Sequence, residues 1–204
     1  MRVIAGKYRG RRLFMPKGIR PTKDNVKESL FNVLTVGLEG ARVLDLFSGS
    51  GSLGIEALSR SAQEVVFVDK SKICTDIIDK SITRIISNEE SASIRIVAMD
   101  ACAAIRLMHR EEKQFDIVIL DPPYNKFSRS SEKGPAPAQY NKNRIRKCLK
   151  YITVYDILPH SGLVAVEHFK KESLPAKTSH LRLLRQLKYG DTIISIYKKK
   201  DKDD

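Results

Sequence analysis

Asp121-Pro122-Pro123-Tyr124 follows the run Phe115-Asp116-Ile117-Val118-Ile119-Leu120 with no spacer. Neither proline has an N–H, so this backbone offers acceptors and almost no donors, with φ fixed. A carboxylate, also an acceptor, stands at one end of the tetrapeptide and a phenol ring at the other. A stiff row of acceptors beside an aromatic face suits a flat ring carrying an NH2 group, which describes a nucleobase with an exocyclic amine. The apolar run before it reads as a buried strand. The tetrapeptide therefore sits at a strand's carboxyl end, where open α/β sheets bind their ligands.

A second group of residues points to a cofactor. Asp45-Leu46-Phe47-Ser48-Gly49-Ser50-Gly51-Ser52-Leu53-Gly54 follows Arg42-Val43-Leu44 and opens a helical pattern. Its glycines spell Gly-x-Gly-x-x-Gly, and Asp69 ends the next strand-like run, as a ribose-binding acid would. That is also the fingerprint of a nicotinamide dinucleotide site. There, however, the loop amides hold a pyrophosphate, which Asp45, four residues before Gly49, would repel. S-adenosylmethionine carries a sulfonium and an ammonium, and a carboxylate favours both. Val97-Ala98-Met99 then runs into Asp100-Ala101. Four successive strands are thus each expected to end in aspartate: Asp45, Asp69, Asp100 and Asp121. Any one of them could be an ordinary helix cap or turn residue; four along one sheet edge point to a site.

The elements that must hold these residues follow from periodicity. Strand patterns lie at 42–46, 64–69, 94–98 and 115–120, with helical patterns between them at 52–60, 71–87 and 101–109. Such alternation predicts βαβ units and a parallel sheet. An amphipathic helix is expected from Asp24 to Val36, and a short β-hairpin from 2–5 and 11–14, flanking Gly6 and Gly10. Residues 125–141 lack periodicity and read as a long loop. A helix at 142–157 and strands at 162–168, 181–188 and 192–198 complete the chain. Tyr189-Gly190-Asp191 joins the last two as a hairpin, so one terminal strand should be antiparallel. The division expected is an arm at 1–20, a domain at 21–198 with the basic insertion 125–141, and a charged tail at 199–204.

Composition bounds the rest. With 204 residues, 42% of them hydrophobic, the chain has enough apolar side chains for one domain's core. No run approaches the length of a membrane span, and the start lacks the apolar stretch of a signal peptide. Cys74, Cys102 and Cys148 are widely spaced and the four histidines fall in no metal spacing, so small buried thiols in a reducing cytosol are expected. The net charge of +13 is concentrated. Residues 1–30 and 126–150 each carry a net +7, leaving the remainder near neutral. These segments are either solvated surface or a phosphate-binding footprint around the site.

Together, Asp45-x-Phe-x-Gly-x-Gly, Asp69, Asp100 and Asp121-Pro-Pro-Tyr resemble class I S-adenosylmethionine-dependent methyltransferases acting on an exocyclic amine. Further blocks resemble the bacterial 16S rRNA (guanine-N2)-methyltransferase family called RsmD. They are Met1 to Gly10, Arg20-Pro21-Thr22, Glu28-Ser29-Leu30-Phe31-Asn32, Leu53 to Arg60 and Tyr189-Gly190-Asp191-Thr192. The resemblance spans nearly the whole chain. It implies a Rossmann-like fold, with a mostly parallel seven-stranded sheet and helices on both faces. It implies S-adenosylmethionine as cofactor, with Gly49 and Gly51 beside the methionine part and Asp45 near its ammonium. Asp69 would bind the ribose and Asp100 the adenine amine, with Phe47, Lys70, Ala101 and Thr22 close by. Asp121, Pro122, Pro123 and Tyr124 would hold the target base. Arg2, Lys7, Arg9, Arg11, Arg12, Arg20, Lys126 and Arg129 would contact RNA. The implied partner is 16S rRNA or the assembling small ribosomal subunit, bound by a cytoplasmic monomer without metal or membrane.

The sequence departs from that family's pattern at Ser48, Ser52 and Ser61, where alanine or glycine is common and serine should be tolerated. The loop 125–141 is longer than usual. Three other readings stay open. An adenine-N6 methyltransferase shares Asp-Pro-Pro-Tyr, although such enzymes usually carry a separate recognition domain. An inactive RNA-binding protein on this fold would be expected to have lost the acids or glycines kept here. A nicotinamide-dependent dehydrogenase is disfavoured by Asp45.

Overall fold

The computed structural model describes residues 1–16, 23–86, 92–123, 137–178 and 180–200, the side chains of residues 36 and 137–142 excepted. Its strands are β1 (Arg42–Leu46), β2 (Glu64–Asp69), β3 (Ser93–Ala98), β4 (Ile117–Leu120), β5 (Leu163–Phe169), β6 (Leu181–Tyr189) and β7 (Thr192–Lys199). They form one sheet in the order β3-β2-β1-β4-β5-β7-β6. The first five are parallel; β7 runs antiparallel to both β5 and β6. The mostly parallel seven-stranded sheet and its antiparallel strand are as expected.

Five α-helices cover the sheet: α1 (Asp24–Leu34), α2 (Ser52–Ser59), α3 (Lys72–Ile85), α4 (Ala101–Arg110) and α5 (Pro137–Val154). Successive strand side chains point to opposite faces, and the core divides accordingly. Val43, Val65, Phe67, Ile117 and Ile119 pack with α1, α2 and α3. Leu44, Leu46, Val66, Val68, Val118 and Leu120 pack with α4 and α5. Burial on both faces explains why these strands are continuous apolar runs rather than alternations.

Several boundaries differ from the sequence expectation. β4 begins at Ile117; the Asp116 carboxylate instead accepts a 2.8 Å bond from Arg42 N and ties the start of β1. α1 stops at Leu34 and passes into a 3-10 turn, Thr35–Gly37. α5 begins at Pro137, so the expected loop is shorter by five residues at its end. Proline is favoured at a first helical position because its missing N–H would have no partner there. α3 ends at Ile85 and α5 at Val154. The expected tail begins inside β7, since Lys199 pairs with Leu181.

The amino-terminal arm pairs antiparallel where expected, Val3 N donating to Arg11 O and Leu13 N to Met1 O, but over a shorter stretch. One antiparallel bridge, Arg2 to Arg12, closes it, and the rest is turns docked on α2. Gly6 adopts φ +79°, and a Cβ there would lie 1.8 Å from Ser59 O, so only glycine fits. Ser59 Oγ donates to Ala5 O and accepts from Tyr8 N, while its carbonyl accepts from Lys7 N.

Beneath the arm lies a fully buried ion pair, Lys27–Glu56, at 3.2 Å. The Lys27 ammonium also donates to Arg2 O at 2.7 Å and Ser52 Oγ at 3.1 Å, which satisfies its three donors. Glu56 accepts from Ile4 N, Ala5 N and the Arg60 guanidinium as well. Burial holds the Lys27 ammonium below the usual lysine range, against the opposing pull of Glu56.

Ser61 follows α2 in the left-handed region, at φ +73°. A non-glycine residue there is strained. Ser61→Gly is therefore expected to stabilise the protein by up to about 1 kcal/mol, reduced by the extra freedom glycine gives the unfolded chain. Denaturant unfolding would show it; a destabilised variant would mean that serine is the better residue at this turn.

Candidate active site

Strand register sets the site. Leu46 on β1 lies opposite Val68 on β2 and Leu120 on β4. The next residues of all three strands, Phe47, Asp69 and Asp121, therefore reach the carboxyl edge at one level. Asp69 lies opposite Ala98 on β3, and Asp100 follows two residues on. The acids do not all end strands as expected. Asp45 lies within β1, and Asp100 caps α4, its carboxylate accepting from Cys102 N at 2.9 Å.

The turn between β1 and α2 is held by side chains. Phe47 takes φ +65°, Gly49 +54° and Gly51 +74°. Ser48 Oγ donates to Asp45 O and accepts from Val68 N at 2.9 Å, pinning the turn to β2. The Asp69 carboxylate accepts from Gly49 N at 2.9 Å and Ser71 N at 2.8 Å. Each of its oxygens keeps one lone pair, enough for a hydroxyl donor. Gly54 answers to packing, because a Cβ there would meet the Phe67 ring at 2.2 Å.

Asp45 is the most unusual group. Its Oδ2 accepts from Gly54 N at 3.0 Å, whereas Oδ1 is buried with no hydrogen-bond partner among the described residues. Burial, reinforced by the carboxylates of Asp121 and Asp69 and opposed by the Gly54 bond, pushes its carboxyl up to about 8. A buried acceptor without a partner is costly, and a cation beside it would remove the cost. The glycine turn, the ribose-ready Asp69 and this acid therefore fit S-adenosylmethionine.

A pH effect follows. A cation bound beside Asp45 favours the ionised carboxylate, so affinity for S-adenosylmethionine should rise with pH up to about 8. The gain approaches tenfold per unit. Without ligand the sign reverses for stability. The folded value lies above the ordinary 3.8, so this group's contribution falls as pH rises from about 4 to about 8. Titration calorimetry at pH 6.5, 7.5 and 8.5 should show tightening in the wild type and a weak, flatter response in Asp45→Asn. The same pH dependence in both proteins would remove Asp45 from the cationic contact.

Asp121 is half-buried, Pro122 buried and Pro123 exposed. The Asp121 amide donates to Leu46 O at 3.4 Å, which fixes the tetrapeptide's start to β1. Ala101 is buried at the start of α4 and Lys70 is exposed beside Asp69. Arg2, Lys7, Arg9, Arg11 and Arg12 are exposed on the arm. Met1 Sδ lies 3.9 Å from Ser50 Oγ, so the arm reaches the glycine turn. Arg20, Thr22, Tyr124, Lys126 and Arg129 lie outside the described residues.

One residue of the site was not singled out by sequence. Arg144, on α5, places its guanidinium 4.8 Å from the Phe47 ring centre and 3.8 Å from Asp100 Oδ2. It joins the last helix to two cofactor-side residues. In sequence it was one cation among many, and only the packing of α5 on the sheet brings it here.

Known proteins can now be set beside this geometry. Residues 1–132 match the family model described as Conserved hypothetical protein 95. The Bacillus subtilis protein YlbH, provisionally named an rRNA methyltransferase, is 34% identical over 98% of this chain and 100% of its own length. The Haemophilus influenzae protein named ribosomal RNA small subunit methyltransferase D is 39% identical over 128 residues, covering 61% of this chain and 64% of that one. Among solved structures, the Escherichia coli protein yhhF, provisionally described as a methyltransferase, superposes with a TM-score of 0.76 at 26% identity over 98% of both chains. With the sheet order, the glycine turn and the row of acids all in agreement, this chain belongs to the RsmD-type methyltransferase family.

Proposed function

We infer that this chain is an S-adenosylmethionine-dependent rRNA methyltransferase, and we propose the exocyclic N2 amine of a guanine in small-subunit rRNA as its acceptor. The observation that carries the proposal is the placement of Asp121-Pro122-Pro123 directly after β4, level with Asp69 and Phe47 and next to buried Asp45. An amine acceptor site and a cation site thus share one edge.

When bound, the cofactor supplies an electrophilic methyl group on a sulfonium. The chain's own residues orient the acceptor. The guanine N2 lone pair is delocalised into the ring, which makes the amine a poor nucleophile. The Asp121 carboxylate and the Pro122 carbonyl would each accept one N–H, orienting the lone pair toward the bound methyl donor. Tyr124, outside the described residues, would stack on the base. The proton shed by the amine as it is methylated would leave toward the Asp121 carboxylate. Orientation of this kind supplies at most about 7–11 kcal/mol of the barrier. The target base must leave its stack, which costs least for one already in a loop. Exposed cations of the arm contribute phosphate contacts, and with them a salt-dependent affinity.

Transfer of labelled methyl from S-adenosylmethionine to assembled small subunits, protein-free 16S rRNA and double-stranded DNA tests the substrate class. Label in either rRNA sample supports the inference. Label confined to DNA overturns it and favours the adenine-N6 reading that shares Asp-Pro-Pro-Tyr.

A further inference from the structure

Helices α4 and α5 lie side by side on one face of the sheet, and neither contains an acidic residue. α4 contributes Arg106, His109 and Arg110; α5 contributes Arg144, Arg146, Lys147 and Lys150. Solvated helices commonly mix signs, as α3 does with its Lys72–Asp76 pair. Here Arg106 and Arg110, and likewise Arg146 and Lys150, stand four apart as like charges, an arrangement that disfavours the helix. Of the acids that flank the two helices, Asp100 pairs with Arg144 at the cofactor edge, whereas Glu111 pairs with Arg95 and Asp156 with Lys199.

Tyrosines fix some of these cations in place. The Arg106 guanidinium and the Lys147 ammonium both lie over the Tyr151 ring, at 5.6 and 5.5 Å, one from each helix. Tyr151 packs edge-on against Tyr155, whose ring is 5.3 Å from His109. Cation–π contacts of this kind hold long, flexible side chains at set positions. Both helices run back from the sheet's carboxyl edge, so the row leads from Arg144 at the cofactor site to Tyr155, about 16 Å along α5.

We propose that the α4–α5 face is a second RNA-binding surface, a phosphate track that guides the strand leading to or from the target nucleotide. This rests on the rRNA reading above and extends it to α4, which sequence analysis did not assign to RNA. Charge complementarity selects a polyanion, and continuity with the cofactor edge selects the substrate strand itself. The Tyr151 ring is already engaged by two cations, so the surface is suited to phosphates rather than stacked bases.

The test compares R106Q/K147Q/K150Q with a control, K80Q/R185Q/K188Q, which removes three exposed cations from elsewhere. Binding to protein-free 16S rRNA is measured between 50 and 300 mM salt, with S-adenosylmethionine affinity as the check on folding. Each single-strand phosphate contact contributes about 0.7 to the slope of log affinity against log salt. The first variant should lose about 2 from that slope and weaken on the order of tenfold at 150 mM salt. The control should change little. An unchanged slope, or equal losses in both variants, overturns the proposal. Failure of the wild type to bind and methylate rRNA overturns the rRNA reading instead, so the two failures are distinct.

Discussion

Asp121→Ala is expected to retain S-adenosylmethionine binding and to lose about 10²-fold or more in methyl transfer, the scale on which a positioned polar group matters. The residues proposed to hold the cofactor lie on the β1 turn, at Asp69 and at Asp100, and the substitution leaves their own hydrogen bonds in place. What it removes is one of the two acceptors proposed to hold the amine. A second consequence separates this role from a merely structural one. The Asp121 carboxylate is one of the charges that raise Asp45. Its removal should shift the pH dependence of S-adenosylmethionine binding to lower pH while turnover collapses. Single-turnover methyl transfer and calorimetry on one preparation check both. Turnover within a few-fold of wild type would remove Asp121 from the reaction.

Glu56→Ala is expected to have the largest effect on stability. The carboxylate accepts from four donors, two on the arm and two on side chains, with no exposure to water. Truncation leaves a buried ammonium and two backbone N–H groups without their acceptor. Breaking one side of a buried pair costs about 3–5 kcal/mol. For a domain of this size that is a fall in Tm on the order of 10 °C. The arm should also become sensitive to protease, with cleavage within residues 1–16. A loss below about 1 kcal/mol with a protected arm would mean that Gly6 and Ser59 hold the arm unaided.

These two residues also mark what the sequence could and could not disclose. Asp121 was legible because its strand is a continuous apolar run and two prolines follow at once, leaving one placement at a sheet edge. Asp45, Asp69 and Asp100 were legible as a group, though not each as a strand end. Asp45 lies close in sequence to Gly49, Gly51 and Gly54, and the register of parallel strands brings Asp69 and Asp100 to the same edge. Glu56 was hidden inside a block that reads as an ordinary helix. Its partners Ile4, Ala5 and Lys27 lie 52, 51 and 29 residues away in sequence, and no periodicity encodes them. The arm read as a hairpin from weak alternation around two glycines, and it pairs antiparallel over a shorter stretch than expected. Gly6 serves close approach to Ser59. Residues 125–141 read as a loop, yet Pro137 opens α5. Arg144 is the same lesson at the site. Its charge was visible, but its position depends on how α5 packs beside α4, next to Phe47 and Asp100.

Ser48, Ser52 and Ser61 refine the expectation of tolerance. The first two gain partners: Ser48 pins the turn to β2, and Ser52 accepts from Lys27. Ser61 has only the strain of its left-handed backbone.

The central claim is that Asp121-Pro122 holds a guanine N2 amine. Its most direct test is the identity of the methylated nucleoside. Small subunits or 16S rRNA methylated by the pure protein with labelled S-adenosylmethionine are digested to nucleosides and resolved by mass spectrometry. All of the label is expected in N2-methylguanosine, and with Asp121→Ala it should fall by about 10²-fold or more. Label in N6-methyladenosine, or in any base without an exocyclic amine as acceptor, would contradict the claim.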